Sequence, residues 1–421
     1  MQLIEKAKVL VKSKTIKNVG YLTVGSAFAQ IISLIGAFYI PRILGPEKYG
    51  TLNIVTSYVA LFTVFSFGGL NKVILRESSR NISKIKQIAE GFIGIKIIFS
   101  IAASIVAIMF LLFVNYELTT KYYIILFSIS LVLAPLLGTF NTIYQAHEEL
   151  KYVALLGVIQ SILSVSLSIL AVTLGYGVLA ILLIRLSCSL LMVFSSYKIL
   201  KKFFFAINFL SKINWDLKFL KQGFNFTLLN VLGVLSTKID LVMLSFLTTP
   251  KDVGIYALAY NIVQRGLIIR RPISASLFPY YTKRYAKQNV EMRELIKHTL
   301  IIIIPSIVII IGVLLSSKYI IATIVGNEFV ESAKIVNILI FYLVLNYSVI
   351  PLGLALQTTN NEKYSIYIGV ATALTNIIMN YALFHAFGLI GIAFSTLIVE
   401  FLRVFFAYII VKKLKIKMVN L

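Results

Sequence analysis

The sequence predicts an all-α, polytopic membrane protein of about twelve transmembrane helices, in two pseudo-symmetric six-helix bundles around a central cavity. Three observations predict it. Of 421 residues, 59% are hydrophobic and only 13% charged, with a mean hydropathy of +0.92, far from the composition of a soluble domain. Apolar runs of the length that crosses a bilayer, roughly 20 residues, recur along the chain with short polar breaks between them. Similar phrases also return roughly two hundred residues apart.

The first residues interleave Lys6, Lys8, Lys12, Lys14 and Lys17 with Leu3, Ile4, Val9, Leu10 and Val11, the pattern of a cationic amphipathic helix on a membrane surface. Val19 to Ile40 is too long for a signal-peptide core and lacks a small-residue cleavage site, so it reads as a retained helix. The next spans are Tyr49 to Leu70, Gly91 to Val114, Tyr122 to Tyr144, Tyr152 to Leu174 and Val178 to Tyr197. The second set is Phe224 to Phe246, Val253 to Tyr281, Leu295 to Leu315, Ile335 to Gln357, Tyr364 to Phe387 and Leu389 to Val411. The longest polar-leaning stretch, Lys198 to Gln222, still carries several aromatics, so no soluble domain is expected. The division falls at 1–204 and 205–421.

Lys and Arg in short loops are retained on the cytoplasmic side. One set of loops holds only Arg42, Lys48, Lys121, Lys251, Lys318 and Lys334 of the 40 basic residues. The opposite set and both termini are therefore cytoplasmic, and the chain belongs in the cell membrane. The net charge of +24 reads as this topology signal plus attraction to anionic lipid, not as affinity for nucleic acid.

Pro46-Glu-Lys-Tyr-Gly50 ahead of span two matches Pro250-Lys-Asp-Val-Gly254 ahead of span eight. Gln145 with Lys151-Tyr152 echoes Gln357 with Lys363-Tyr364, and Gly175 aligns with Gly388. Each half has an even number of spans, so the halves run in the same direction as parallel repeats.

A charge at mid-membrane costs at least ~2.5 kcal/mol on insertion scales, which makes such residues functional candidates. Here they are Lys96, Arg185, Lys238, Asp240, Arg265, Arg270, Arg271, Glu400 and Arg403. Basic groups outnumber acidic ones, so an anionic cargo is expected. In span eight Ala257, Tyr260, Asn261, Gln264, Arg265 and Arg271 share one helical arc, a polar stripe suited to a cleft. Arg270 lies off it, and Pro272 should kink the helix near Ile268. Substrate-binding candidates are Arg265, Arg271, Arg270, Lys238 and Arg185. Asp240 either holds an arginine of span eight or takes up a coupling ion, and Glu400 is a second coupling candidate unless Arg403 neutralises it. Lys96, near the end of its span, is expected to snorkel to the interface. Arginine suits phosphate because its planar fork donates two parallel hydrogen bonds and keeps its charge.

The runs Arg42-Ile-Leu-Gly-Pro-Glu-Lys-Tyr-Gly50, Asp240-Leu-Val-Met-Leu with Val253-Gly-Ile-Tyr-Ala-Leu-Ala-Tyr260, and Gly388-Leu-Ile-Gly-Ile-Ala-Phe-Ser395 resemble the Wzx-type polysaccharide flippases. Their superfamily also holds the multidrug and toxin extruders and the lipid II flippases, the latter usually with fourteen spans. The resemblance implies two six-helix bundles around a central cavity and alternating access. It implies a polyprenyl-diphosphate-linked oligosaccharide as cargo, moved from the cytoplasmic to the outer leaflet, with basic cavity residues on the diphosphate. Membrane lipid and other glycan-assembly membrane proteins are the further partners expected, and the drive is either a coupling ion (proton or sodium) at Asp240 or Glu400 or the membrane potential alone. The Arg270-Arg271-Pro272 run matches no family pattern.

Two other classes are weighed. A cation-coupled antiporter of the same superfamily should have an acidic cavity. A membrane enzyme of glycan assembly would need a carboxylate pair or a large external loop, whereas the only aspartates are Asp216, Asp240 and Asp252, and no Asp-x-Asp, phosphate loop or His-Glu-x-x-His motif occurs. The single Cys188 and the scattered His147, His298 and His385 supply no disulfide and no metal or cofactor constellation.

Overall fold

Lipid offers no hydrogen-bond partner to an exposed peptide group, so an apolar chain of this kind must satisfy its backbone within helices. The computed structural model describes residues 14–66, 68–209, 211, 217–268, 270–285, 292–359 and 361–419, and every regular element among them is helical. The expected surface helix before Lys14 lies outside the described residues. The α-helices are α1 (Lys14–Phe62), α2 (Leu70–Arg80), α3 (Ile85–Phe110), α4 (Leu118–Phe127), α5 (Ser130–Ala146), α6 (Leu150–Thr173) and α7 (Val178–Phe203). They continue as α8 (Leu217–Leu247), α9 (Pro250–Arg265), α10 (Arg270–Tyr285), α11 (Met292–Ile320), α12 (Val330–Leu339), α13 (Tyr342–Thr358) and α14 (Glu362–Val419).

Among the described residues, nine helical segments are long and apolar enough to cross a membrane. Two are much longer than one crossing needs: Gly20–Ser66 has 47 residues and Lys363–Leu414 has 52, where roughly 20 suffice. Each contains one glycine off the helical path, Gly45 at φ 74° and Gly388 at φ 61°. Gly175, which the sequence phrases align with Gly388, also has positive φ, at 86°. It closes α6 with bonds from Gly175 N–H to Val172 O (3.1 Å) and Tyr176 N–H to Ala171 O (2.9 Å), the left-handed stop that glycine adopts without a Cβ penalty.

By internal contacts the chain divides into two units, one running to Gly36 and resuming over Ile54–Val234, the other made of Ala37–Asn53 and Leu235–Leu421. In the first unit, Ile93 of α3, Phe140 and Tyr144 of α5, Leu156 of α6 and Met192 of α7 share a buried cluster. The Tyr144 hydroxyl donates to the Ser196 carbonyl, so the ring stays buried with its polar end satisfied.

In the second unit the two Pro-x-x-x-Gly phrases meet. A Cβ built on Gly50 would lie 2.6 Å from the carbonyl carbon of Pro250 and closer still to its oxygen; one on Gly254 would lie 2.8 Å from the carbonyl carbon of Pro46, again with the oxygen nearer. Each glycine thus seats on the other phrase's proline carbonyl, a backbone approach that only small residues permit. Around this contact Arg42 donates to the carbonyls of Thr323 (3.2 Å) and Ile324 (2.9 Å), and Tyr49 meets Phe329 edge-on at 6.1 Å.

Candidate functional site

The polar chemistry of the second unit begins with the α9–α10 break. Thr249 caps α9 by accepting from the Asp252 N–H at 3.3 Å, and Pro250 takes the first turn, where its missing donor costs nothing. The helix ends at Arg265 and restarts at Arg270, which places the break at the expected position near Ile268. Pro272 has no N–H to offer the Ile268 carbonyl, and Gly266 is packed tightly on Leu343 while its carbonyl accepts from the Tyr347 hydroxyl.

Asp240 of α8 is 4% exposed. Its Oδ1 accepts from Asn380 Nδ2 (2.8 Å), and its Oδ2 accepts from the hydroxyls of Thr396 (2.9 Å) and Tyr256 (3.3 Å). The Asn380 amide also donates to Asn376 Oδ1 at 3.0 Å. Of the two roles weighed for Asp240, holding an arginine is not seen among the described residues, where neutral donors meet the carboxylate. The buried Asn380 Oδ1 is left with no hydrogen-bond donor among the described residues. A carboxylate and an orphaned amide oxygen in one buried cluster are hard oxygen donors of the kind a small cation or a proton takes.

A second cluster lies on α10, α13 and α14. Arg403 Nη1 donates to both oxygens of Glu400 (3.2 and 3.4 Å), and Asn346 Nδ2 donates to Glu400 Oε1 at 3.1 Å. Arg270 and Arg403 line one cavity of about 160 Å³ together with Ser274, Gln357 and Ser365. The break in the helix therefore brings Arg270 to the Glu400–Arg403 pair. Arg265 is half-buried at the end of α9, and no described residue hydrogen-bonds its guanidinium. On the same stripe Asn261 Nδ2 donates to the Tyr49 hydroxyl at 2.9 Å. Arg271 lies in α10, but its side chain is outside the described residues. Lys238 is on α8, and Arg185 is on α7 in the first unit.

Also in the first unit, Lys96 is 1% exposed and does not snorkel. Its ammonium donates to Asn71 Oδ1 (2.6 Å), the Pro135 carbonyl (2.8 Å) and the Thr139 hydroxyl. All three donors of the ammonium are thus used on neutral oxygens, which is what allows it to be buried.

Sequence reasoning did not single out Asn376, Asn380, Thr396 or Asn346. A signal for the first two was present: Asn376 and Asn380 are four residues apart in a mostly apolar span, so they share a helix face. Among the described residues no group of three or more His, Cys, Asp or Glu could hold a metal ion.

Comparison with known proteins follows the same lines. The family model for polysaccharide biosynthesis proteins matches residues 15–284. Capsular polysaccharide biosynthesis protein CapF of Staphylococcus aureus is 24% identical over 409 residues, which is 95% of this chain and 100% of that protein. The probable low-salt glycan biosynthesis flippase Agl15 of Haloferax volcanii is 23% identical over 201 residues, 44% of this chain and 42% of that protein. Among solved structures, an inward-facing multidrug resistance MATE family transporter of the MOP superfamily aligns with a TM-score of 0.75 at 16% identity, covering 93% of this chain and 96% of that one. The lipid II flippase MurJ in an inward closed conformation aligns at 0.76 and 18% identity, covering 93% and 87%.

Proposed function

The chain belongs to the polysaccharide biosynthesis protein family, within the superfamily that also contains the multidrug extruders and lipid II flippases, and from that premise we propose that it is a flippase for a polyprenyl-diphosphate-linked oligosaccharide. The glycan moves from the cytoplasmic to the outer leaflet by alternating access, with both termini cytoplasmic. The nine apolar segments support a twelve-span architecture, because Gly45 and Gly388 each divide an over-long segment and the broken α9–α10 pair supplies the remaining crossing. Two repeats, 1–204 and 205–421, then carry six spans each.

The observation that carries the cargo is the surplus of basic over acidic side chains within the spans. Lys96 is satisfied on neutral oxygens, but a cationic side chain in a membrane interior without such partners favours an anionic one, and a diphosphate supplies one that the arginine fork matches. Arg265 and Arg271, aided by Arg270, Lys238 and Arg185, hold the diphosphate while the prenyl tail stays in lipid. Asp240 is the site for the coupling proton or sodium ion, supported by its burial and by the orphaned Asn380 oxygen. Glu400 is the weaker coupling candidate, since Arg403 already pairs with it. Membrane lipid and other glycan-assembly membrane proteins complete the setting.

A second reading, a cation-coupled antiporter for small solutes, is favoured by the same Asp240 cluster and by the likeness in fold to multidrug transporters. The two readings share the ion site and differ in cargo. They separate in proteoliposomes loaded with a fluorescent polyprenyl-diphosphate sugar or, in parallel, a fluorescent organic cation. The flippase reading expects translocation of the lipid-linked sugar, lost in Arg265→Ala and Arg271→Ala with folding intact. Transport of the cation alone would replace it with the antiporter.

A further inference from the structure

We propose that the apolar seam between α11, α13 and α14 seats one acyl chain of an anionic phospholipid, whose headgroup is held by Lys412 with Arg293 and Lys297 beside it. The proposal needs only that the chain sits in a bilayer, and it does not rest on the flippase reading. Two hollows make the seam. One, of about 300 Å³, is lined by Met292, Ile296 and Leu300 of α11, Leu352 of α13, and Phe405 and Tyr408 of α14. The other, of about 370 Å³, lies among Phe341, Leu345, Leu397 and Ile398. Phe401 lines both, so they adjoin along α14.

The lining suits hydrocarbon. The second hollow is bounded by apolar side chains throughout, and in the first the Ser348 hydroxyl is spent on the Val344 carbonyl at 2.7 Å. Ile296, Leu300, Phe341, Phe401 and Phe405 are exposed, so the seam opens outward, where a bilayer supplies acyl chains. From Ile398 to Tyr408 it runs ~15 Å at 1.5 Å per helical residue. That is half of a hydrocarbon core ~30 Å thick, the depth of one leaflet; a longer prenyl tail would overrun it.

One end of the seam is cationic. Lys412 is exposed and falls on the same face of α14 as Phe401, Phe405 and Tyr408, one turn beyond the tyrosine. Arg293 and Lys297, also exposed, flank the face of α11 that carries Ile296 and Leu300. Because Met292 and Tyr408 line the same hollow, the start of α11 and the end of α14 bring these cations to one end. Glu294, in the same turn of α11, is half-buried and accepts from the Tyr280 hydroxyl. An apolar seam one leaflet deep that ends in basic side chains matches an amphiphile with a single negative headgroup. In the orientation proposed above its leaflet is the cytoplasmic one, where basic residues meet anionic headgroups.

The test places a fluorophore in the seam. Trp215, the chain's one tryptophan, is changed to Phe, Phe405→Trp is added, and the full-length protein is reconstituted in phosphatidylcholine vesicles. Dibrominated phosphatidylglycerol, or dibrominated phosphatidylcholine in a parallel set, then quenches the tryptophan by contact. The expected result is quenching by phosphatidylglycerol at a several-fold lower mole fraction, with Lys412→Gln removing about fivefold of that preference. Tyr408→Trp should report the same preference, which covers a Phe405→Trp variant that fails to fold. Val308→Trp, on the opposite exposed face of α11, should show none, and Lys201→Gln, exposed on α7 in the first unit, should leave it intact. Equal quenching by the two lipids, the same preference at Val308→Trp, or a preference indifferent to Lys412→Gln would overturn the proposal. So would no quenching at all, the mark of a seam covered by a second copy, or displacement by a polyprenyl phosphate at lower mole fraction, which would make the seam a seat for the cargo's tail.

Discussion

Replacing Gly50 by alanine puts a methyl group where the Pro250 carbonyl now sits. The added carbon would stand 2.6 Å from that carbonyl carbon and 2.9 Å from the Gly254 nitrogen, whereas non-bonded carbons prefer about 3.5 to 4.0 Å. The opposing backbone must therefore retreat by roughly 1 Å or more, and backbone cannot swing aside as a flexible side chain would. Overpacking of this kind costs about 1 to 3 kcal/mol; at about 2 kcal/mol the packed state loses roughly thirtyfold in population against any state in which the phrases have parted. Gly254→Ala strikes Pro46 in the reciprocal way and should cost about the same. Because one separation clears both clashes, the double variant should cost little more than either single, a departure from additivity that marks shared strain.

The assay is the rate of maleimide labelling of Asn53→Cys, made in a Cys188→Ser background because Cys188 is the chain's one cysteine. Asn53 is buried near this contact and donates to the Tyr49 carbonyl at 2.8 Å. Labelling should accelerate by one to two orders of magnitude in either glycine variant. Gly157→Ala, where a Cβ meets nothing within 4 Å, is the control and should not accelerate it. Wild-type labelling rates in Gly50→Ala and Gly254→Ala, or fully additive effects in the double variant, would refute the reciprocal packing.

Three further outcomes are expected. Lys96→Met keeps the bulk of the side chain but orphans Asn71 Oδ1, lowering stability by about 1 to 3 kcal/mol, while Lys96→Ala adds a cavity and costs more; melting in detergent should rank wild type above Met above Ala, and the reverse order of Met and Ala would sink the account. Arg403→Gln strands Glu400, which is 8% exposed in its side chain, at a cost of about 3 kcal/mol, and Glu400→Gln in the same chain should recover most of the lost melting temperature. Asp240→Asn should remove the response of transport to an imposed sodium or proton gradient in proteoliposomes, with downhill exchange retained; an unchanged gradient response would exclude Asp240 as the coupling site.

The sequence by itself determined what depends on local pattern. Apolar runs of bilayer length leave a chain no alternative to helices, because lipid cannot solvate a bare peptide group. Pro272 announced the interruption of span eight, since a missing N–H and a steric clash act on the turn just before it. The likeness of the Pro46-to-Gly50 and Pro250-to-Gly254 phrases was legible, and so was the cationic excess within the spans. What tertiary structure decided was which of these side chains meet. Among the described residues Asp240 is bound by Asn380 and Thr396, distant in sequence, and by no arginine. Lys96 is satisfied on Asn71, Pro135 and Thr139 and does not reach for the interface. Arg270 lay off the polar stripe of a continuous helix, and the break swings it to Arg403 and Glu400. The physical reason is common to all three: hydropathy and periodicity act over a few residues along one helix, whereas a charge's partner depends on how several helices are rotated, kinked and packed against one another, and a change of a few degrees or one turn exchanges one partner for another.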